Sequence, residues 1–366
     1  MRIAFLCRRT SLGVWSAESV NTGIGGSEEA VVHMAELLGR RGYIVSVHMP
    51  GAQHRRFGSV IYDDDRSLHG QVIDVAVMWR YPSLAEWYAA LNFRARRAYL
   101  WLHDIIPAHR VLEYEHMYRK VIVLSNYHRG RYAAMPDGRI LVSANGIDPS
   151  QFDGDHGERD PHLVVYGSAY GRGLATLLGR WPTIREHVPE CRLNVFYGWQ
   201  GFDAQRAEEL HHQLDPLLRQ PGVSHLGRIG HHAVASQYMR AGIWAYPSHY
   251  RETSCISAMK AQAGVAVPVV IPTGALRETV QFGFRTRLGY DEAGGADTKN
   301  ELVREWLCGL IKLLRSPDEQ SRIRTEMMPA SKACYAWSTV ADQWEREFSQ
   351  PAHRPRSTLT FSSAIP

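Results

Sequence analysis

With 366 residues, 45% hydrophobic and 22% charged, the chain has room for two domains with separate cores and the composition of an ordinary globular protein. No apolar run approaches the roughly 20 residues needed to cross a bilayer, and five cysteines without a CxxC pair argue against a disulfide framework or a structural zinc. The net charge of +5 comes from scattered arginines, with only five lysines, which argues against nucleic-acid binding and suits small anions or a lipid headgroup surface. A reducing, cytoplasmic setting is the expectation.

The first strand is expected at Arg2 to Cys7, and a signal peptide is not expected. Strands expected at 2–7, 43–49, 72–79, 97–102, 120–125 and 139–143 alternate with helical patterns, as in a doubly wound parallel sheet. A loop from Arg8 to Thr22 leads into Gly23-Ile24-Gly25-Gly26-Ser27-Glu28-Glu29, and the next helix lines up Val31, Met34, Ala35 and Leu38. A dinucleotide fingerprint is rejected. Glu28 stands where GxGxxG needs its last glycine, and Ser46-Val47-His48 offers no acidic residue to a ribose. The two glutamates favour the helix dipole and discourage phosphate. A glycine turn required for close packing is the plain alternative.

"YDDDR", Tyr62 to Arg66, contains an Asp-x-Asp that could hold Mn or Mg on a diphosphate. Set among Gly58, Ser67, His69 and Gly70, it reads instead as a solvated loop. His103 and Asp104 follow the buried run "YLWL" at its carboxyl end, where a lone histidine is either structural or reaches a ligand. Asn145-Gly146-Ile147-Asp148 marks a turn out of the first domain.

From Pro161 the alternation restarts, with strands expected at 162–168, 192–197, 223–227, 242–246 and 267–271 and no sequence repeat between the halves. The first of these ends at Gly167-Ser168, and a helix beginning near Gly173 places Arg172 at the sheet edge. Gly198-Trp199 and Gly227-Arg228 close two further strands. In Gly242 to Ile271 a strand stops at Pro247-Ser248, a polar loop runs from His249 to Glu252, and a helix starts near Ser254 and closes at Gly264. Ligands of open α/β sheets bind at this edge. The backbone N–H groups of Thr253, Ser254, Cys255 and Ile256 would face a diphosphate, and the Glu252 carboxylate would accept from sugar hydroxyls. The plain alternative makes Glu252 and Thr253 helix caps. His211-His212 and His231-His232 lack metal-ligand spacing and read as solvated helix starts. Tyr335 to Phe348 is an amphipathic helix with Trp337, Val340, Ala341, Trp344 and Phe348 on one side, and the tail from Pro351 reads as mobile.

"YPSHYRETSCISAMKAQAGVAVPVV" resembles the donor-site signature of retaining, GT-B-fold glycosyltransferases of the large family 4. There a glutamate, seven residues and a second glutamate precede a small-residue stretch and Pro-Val-Val. Glu252 matches the first glutamate, and Lys260 stands at the second. "GIGGSEE" resembles that family's first loop, where Gly25 and Gly26 would let the backbone approach the sugar–acceptor junction. "YLWLHDIIP" is similar to a histidine-bearing strand end, so His103 would reach the donor sugar. Arg172-Gly173-Leu174 resembles the basic-Gly-apolar element, and "FYGW" and "HLGRIGHH" resemble strand ends that line the nucleotide pocket, bringing in Ser168, Gly198 and Arg228.

The resemblance implies an α/β GT-B fold of two Rossmann-like domains facing across a cleft. Residues 1–150 would form the acceptor domain and 151–334 the nucleotide-sugar domain. A helix at 335–348 would cross back to the first domain, ahead of a mobile tail at 349–366. It also implies metal-independent transfer of a hexose, without a cofactor, from a UDP- or GDP-sugar to a hydroxyl of a glycan, lipid or protein, with retention. Arg172 and the helix start at Ser254–Ile256 would stabilise the leaving diphosphate, Glu252 would hold donor hydroxyls, and the leaving phosphate would take the acceptor proton. Lys260 cannot accept the ribose hydrogen bonds of the glutamate it replaces. The alternatives are therefore a weakened sugar-nucleotide-binding or assembly subunit, and a GT-B-like epimerase or phosphorylase. Peripheral membrane contact and oligomeric state stay open.

Overall fold

The two runs of alternating strands form two separate sheets in the structure, a computed structural model that describes residues 1–11, 13–199, 204–350 and 359–360. The chain divides into two compact units. The first comprises Met1–Glu18, Gly25–Asn145 and the stretch from Trp337; the second comprises Ser19–Ile24 and Gly146–Ala336.

The first sheet contains β1 (Arg2–Leu6), β2 (Ile44–His48), β3 (Arg55–Phe57), β4 (Val60–Asp63), β5 (Val72–Trp79), β6 (Arg94–Trp101), β7 (Lys120–Val123) and β8 (Ile140–Val142). Their order is β3-β4-β2-β1-β5-β6-β7-β8, parallel except where β3 meets β4. Leu359–Thr360 adds an antiparallel pairing to β6, and the rest of the tail that reads as mobile lies outside the described residues. β3 and β4 replace the expected loop. They escape an apolar-run reading because β3 is Arg55-Arg56-Phe57, an edge strand with both arginines exposed.

The second sheet contains β9 (Asp160–Gly167), β10 (Arg192–Phe196), β11 (Val223–Gly227), β12 (Ala241–Tyr246), β13 (Val267–Val270) and β14 (Phe284–Arg285), in the order β11-β10-β9-β12-β13-β14 and parallel throughout. Every residue of β12 and β13 is buried, as expected of parallel strands covered on both faces. Each unit thus has the Rossmann-like α/β architecture expected of a GT-B chain.

The last helix starts at Trp337 rather than Tyr335. Tyr335 stays in the second unit, where its hydroxyl donates to Thr279 O at 2.7 Å, and Ala336 bridges Ile147. Trp337–Ser349 belongs to the first unit: Trp344 donates to Ser143 Oγ at 2.8 Å and meets Trp101 edge-on at 4.7 Å. Its buried Glu347 accepts from Lys120 Nζ at 2.7 Å and from Arg119 Nε at 3.3 Å, so the one charge on the packed face is paired. Among the described residues no helix is long and apolar enough to cross a membrane.

Candidate functional site

The site forms because β9 and β12 are neighbours in the second sheet, although 74 positions separate the end of β9 at Gly167 from the start of β12 at Ala241 and two strands and three helices intervene in the chain. The turns after these two strands therefore meet at the sheet's carboxyl edge. Arg172, from the turn after β9, donates through Nη1 to both oxygens of Glu252, from the turn after β12, at 3.1 and 3.2 Å. Glu252 is 4% exposed. A carboxylate so far removed from water needs this partner.

The rest of the neighbourhood serves the same pair. Tyr246, the last residue of β12, donates its hydroxyl to Glu252 Oε1 at 2.7 Å, and Ser168 Oγ lies 3.0 Å from that hydroxyl. Burial, with the Glu252 charge behind it, pushes the Tyr246 phenol well above its ordinary pKa, so it stays a donor. The Arg172 guanidinium also sits 3.8 Å above the Tyr250 ring. Backbone geometry supports the meeting. Gly173 has φ +102°, and a Cβ there would come within 2.3 Å of Pro247 O. Gly274, at φ +64°, bridges Glu252, whose carbonyl accepts from Ala275 N at 2.8 Å. A side chain at Gly173 would push the two turns apart, and one at Gly274 would push the Glu252 turn away from the turn after β13.

The helix after the loop runs Ile256–Ala263, two residues later than the spacing suggests. Thr253 and Ser254 form buried bends ahead of it, with the buried Cys255 as an extended cap residue. Burial and Glu252 push the Cys255 thiol well up, which leaves it protonated and a poor nucleophile. Lys260 is 5% exposed, so this lysine is buried in the helix rather than turned out to solvent. Further along the edge Gly198 N donates to Tyr170 Oη at 3.1 Å, Tyr170 Oη meets His225 Nε2 at 2.7 Å, and Trp199 stacks on His211 at 3.7 Å. Arg228 Nη1 donates to Gly23 O at 3.0 Å. The structure thus groups Ser168, Arg172, Glu252, Thr253, Ser254, Cys255, Ile256 and Lys260 around two adjacent turns, with Gly198 and Arg228 after β10 and β11.

Two histidine readings change. His211 lies inside the helix Ala204–Leu218 against Trp199, and His231, though it begins a helix, is 4% exposed rather than solvated.

In the first unit His103 is buried after β6, 4.5 Å from the Trp101 ring. Burial, then the charge of Arg80, lowers its pKa well below the ordinary value, so it is neutral at pH 7. Beside it Arg80 Nε donates to Asp104 Oδ2 at 2.7 Å, from a backbone with φ +72°. Gly25 precedes the helix Gly26–Arg40, and a Cβ on it would come within 2.5 Å of Glu28 Oε2, so a side chain there would displace the carboxylate of the buried Glu28. The aspartates of "YDDDR" are engaged as acceptors: Asp63 from His54 at 2.8 Å, Asp64 from Gly51 N at 2.6 Å and Asp65 from Trp87 Nε1 at 2.8 Å. Asp65 is buried, which a solvated loop does not explain.

Reading the sequence misses Tyr246, Arg80 and Gly274. Tyr246 looks like one more strand residue, and Arg80 has no neighbouring motif. Gly274, in Pro272-Thr273-Gly274, is the one with a visible turn signal.

No protein-family model matches the sequence, and no curated protein matches it. Solved structures share the fold. Sucrose-phosphate synthase from Thermosynechococcus elongatus is 15% identical, with 95% of this chain and 98% of that one covered at a TM-score of 0.65. A glycosyltransferase from Rickettsia africae is 12% identical over 95% and 97%, at 0.65. HepE from Anabaena, solved with UDP and glucose, is 16% identical over 95% of this chain and 99% of its own, at 0.70.

Proposed function

We propose that the chain is a retaining glycosyltransferase of the family 4 type, moving a hexose from a UDP- or GDP-sugar to a hydroxyl acceptor without a metal. The observation that carries the reading is the buried Glu252 carboxylate, gripped by Arg172 and Tyr246 at the carboxyl edge of a parallel sheet. Likeness in fold to HepE, a protein solved with UDP and glucose, supports it.

Glycosyl transfer breaks the bond between the anomeric carbon and the diphosphate, and negative charge grows on the leaving oxygen. A fixed guanidinium next to a helix start opposes that charge. Arg172 and the N–H groups around Ile256 supply both. Arg172 is only partly exposed and already oriented by Glu252 and the Tyr250 ring, so little reorganisation accompanies the reaction. Glu252 keeps lone pairs for donor hydroxyls while holding the arginine. The acceptor proton passes to the departing phosphate, which needs no side-chain base. His103, neutral and buried, offers an uncharged imidazole to a sugar hydroxyl.

The test is turnover of a panel of UDP- and GDP-sugars with and without EDTA, with the anomeric configuration of the product read by NMR. Release of the nucleoside diphosphate with retention, unaffected by chelation, is the expected result. Inversion, or activity lost to EDTA and restored by Mn, overturns it.

Lys260 favours a second reading, a sugar-nucleotide-binding subunit without turnover. A buried lysine stands where the family's ribose-binding glutamate would be. Tight UDP binding with no transfer to any acceptor would select that reading.

A further inference from the structure

The first unit carries a polar cluster of its own, built on a strained turn. Its sheet runs β4-β2-β1-β5-β6, so the strand order reverses between β1 and β5. Open parallel sheets receive ligands at the carboxyl ends of the strands beside such a reversal. Arg80 follows β5 at that edge, and Asp104 follows β6, the next strand over. Tyr81 N donates to Trp79 O at 3.0 Å across Arg80, which has φ +72°. This three-residue turn is of the rare and strained kind, and its centre favours glycine.

The arginine gives the fold little in return for that strain. Its bond from Nε to Asp104 Oδ2 joins two partly exposed side chains, and an ion pair that water reaches adds little stability. Among the described residues neither terminal nitrogen of Arg80 has a hydrogen-bond partner, and neither does Asp104 Oδ1. The guanidinium is nevertheless held in place, 5.2 Å from the Trp79 ring and 5.6 Å from the exposed Tyr81 ring. Asp104 is also next in the chain to His103. All of these residues belong to the first unit. Free donors and a free acceptor thus stand side by side with their charges cancelled. A sugar hydroxyl, which both donates and accepts, uses the two together, whereas a phosphate meets the carboxylate as well as the guanidinium. The Tyr81 ring offers an electron-rich face to the C–H face of the same sugar. A lipid chain would leave the polar atoms unused.

We propose that Arg80, Asp104 and Tyr81 form a carbohydrate subsite that takes a neutral glycan as the acceptor, with the arginine and aspartate on its hydroxyls and the tyrosine on its ring. The acceptor role rests on the glycosyltransferase reading. Binding of the sugar does not, and the experiment separates the two.

Titration calorimetry of the full chain with glucose, maltose, cellobiose, lactose, glucose 6-phosphate and UDP supplies the test, for wild type, Arg80→Gly and Tyr81→Ala. Expected is binding of at least one neutral sugar, with glucose 6-phosphate bound no more tightly than glucose. Each variant should lose about tenfold or more in affinity for that neutral sugar while UDP affinity and the thermal unfolding midpoint stay near those of wild type. The relief of strain in Arg80→Gly keeps that variant folded, so a loss of binding there is a loss of the side chain. No binding of any neutral sugar, an unaltered affinity in both variants, or a preference for glucose 6-phosphate overturns the subsite. UDP that fails to bind wild type, with a neutral sugar still bound through Arg80 and Tyr81, overturns the donor reading and leaves the subsite standing.

Discussion

Each unit places an arginine–carboxylate pair at the carboxyl edge of its parallel sheet, and the two pairs are built differently. In the second unit Arg172 grips both oxygens of a Glu252 that is 4% exposed, with Tyr246 as a further donor. In the first, Arg80 makes one bond at 2.7 Å to Asp104, whose side chain is 28% exposed, and the arginine lies 5.2 Å from the Trp79 ring. The two arginines are similarly covered, at 23% and 31%, so the carboxylate makes the difference: water reaches Asp104 in the wetter pair and can take over when its partner is lost. A dry carboxylate that loses its partner is left charged without water. The comparison teaches where a mutation will be costly: in the second unit, where the carboxylate is buried.

Removing the dry partner is the strongest way to probe the contrast. Arg172→Ala should cost on the order of 2–4 kcal/mol in transition-state stabilisation, measured as kcat/KM. It should also lower folding stability by about 2–3 kcal/mol, below the full cost for a buried pair because the arginine side chain is 31% exposed. Adding Glu252→Gln should recover most of the stability and none of the activity. If thermal unfolding of Arg172→Ala matches wild type, the pair is not energetically dry.

The first unit has its own charge dependence, set by buried histidines. Burial lowers His128 from its ordinary 6.5 to about 4, and His103 is lowered well below its usual value in the same way. The unfolded chain therefore takes up these protons first. Their contribution is complete above pH 6.5 and is lost as pH falls from there toward 4, on the order of 1.4 kcal/mol per pH unit for each histidine. Urea unfolding at pH 7 and pH 5 should show the drop, and His128→Gln should shrink it. A pH-independent transition midpoint would mean that neither ring is held neutral.

Lys260→Glu sharpens the second unit's side of the contrast. Restoring two acceptors at a position only 5% exposed should tighten UDP binding by roughly 1–2 kcal/mol if the ribose lies there. Weaker binding would place the lysine against a phosphate instead.

The smallest effect belongs to the wet pair. Arg80→Ala should cost no more than about 1 kcal/mol. Arg80→Gly should cost less than alanine, since φ +72° strains any residue with a Cβ. A larger loss with glycine would show that the arginine's contacts, and not its backbone, dominate.

Much of the fold is legible in the residues. Parallel strands buried on both faces must be apolar runs, so β1, β5, β9, β12 and β13 announce themselves, while Arg55-Arg56-Phe57 at an exposed edge does not. The Glu252 loop is legible for a similar reason: a strand stopped by Pro247, a polar turn and a helix closed by Gly264 each leave a local mark. Burial of Lys260 and Asp65 is not legible, because charge predicts exposure until packing overrides it.

By itself, then, the sequence determined the strand–helix alternation and its restart after Pro161, and it singled out Arg172 and Glu252 as the residues proposed to carry the site chemistry, since propensity, periodicity and strand ends are local properties. Only the tertiary structure decided that Arg172 and Glu252, 80 positions apart, hold each other, because their meeting follows from strand order and β9 lies beside β12 rather than beside its successor alone. It also decided that the chain changes units between Ala336 and Trp337, where the Tyr335 hydroxyl finds Thr279 and the Trp344 indole finds Ser143. Those partners lie 56 and 201 positions away, and no local pattern encodes them.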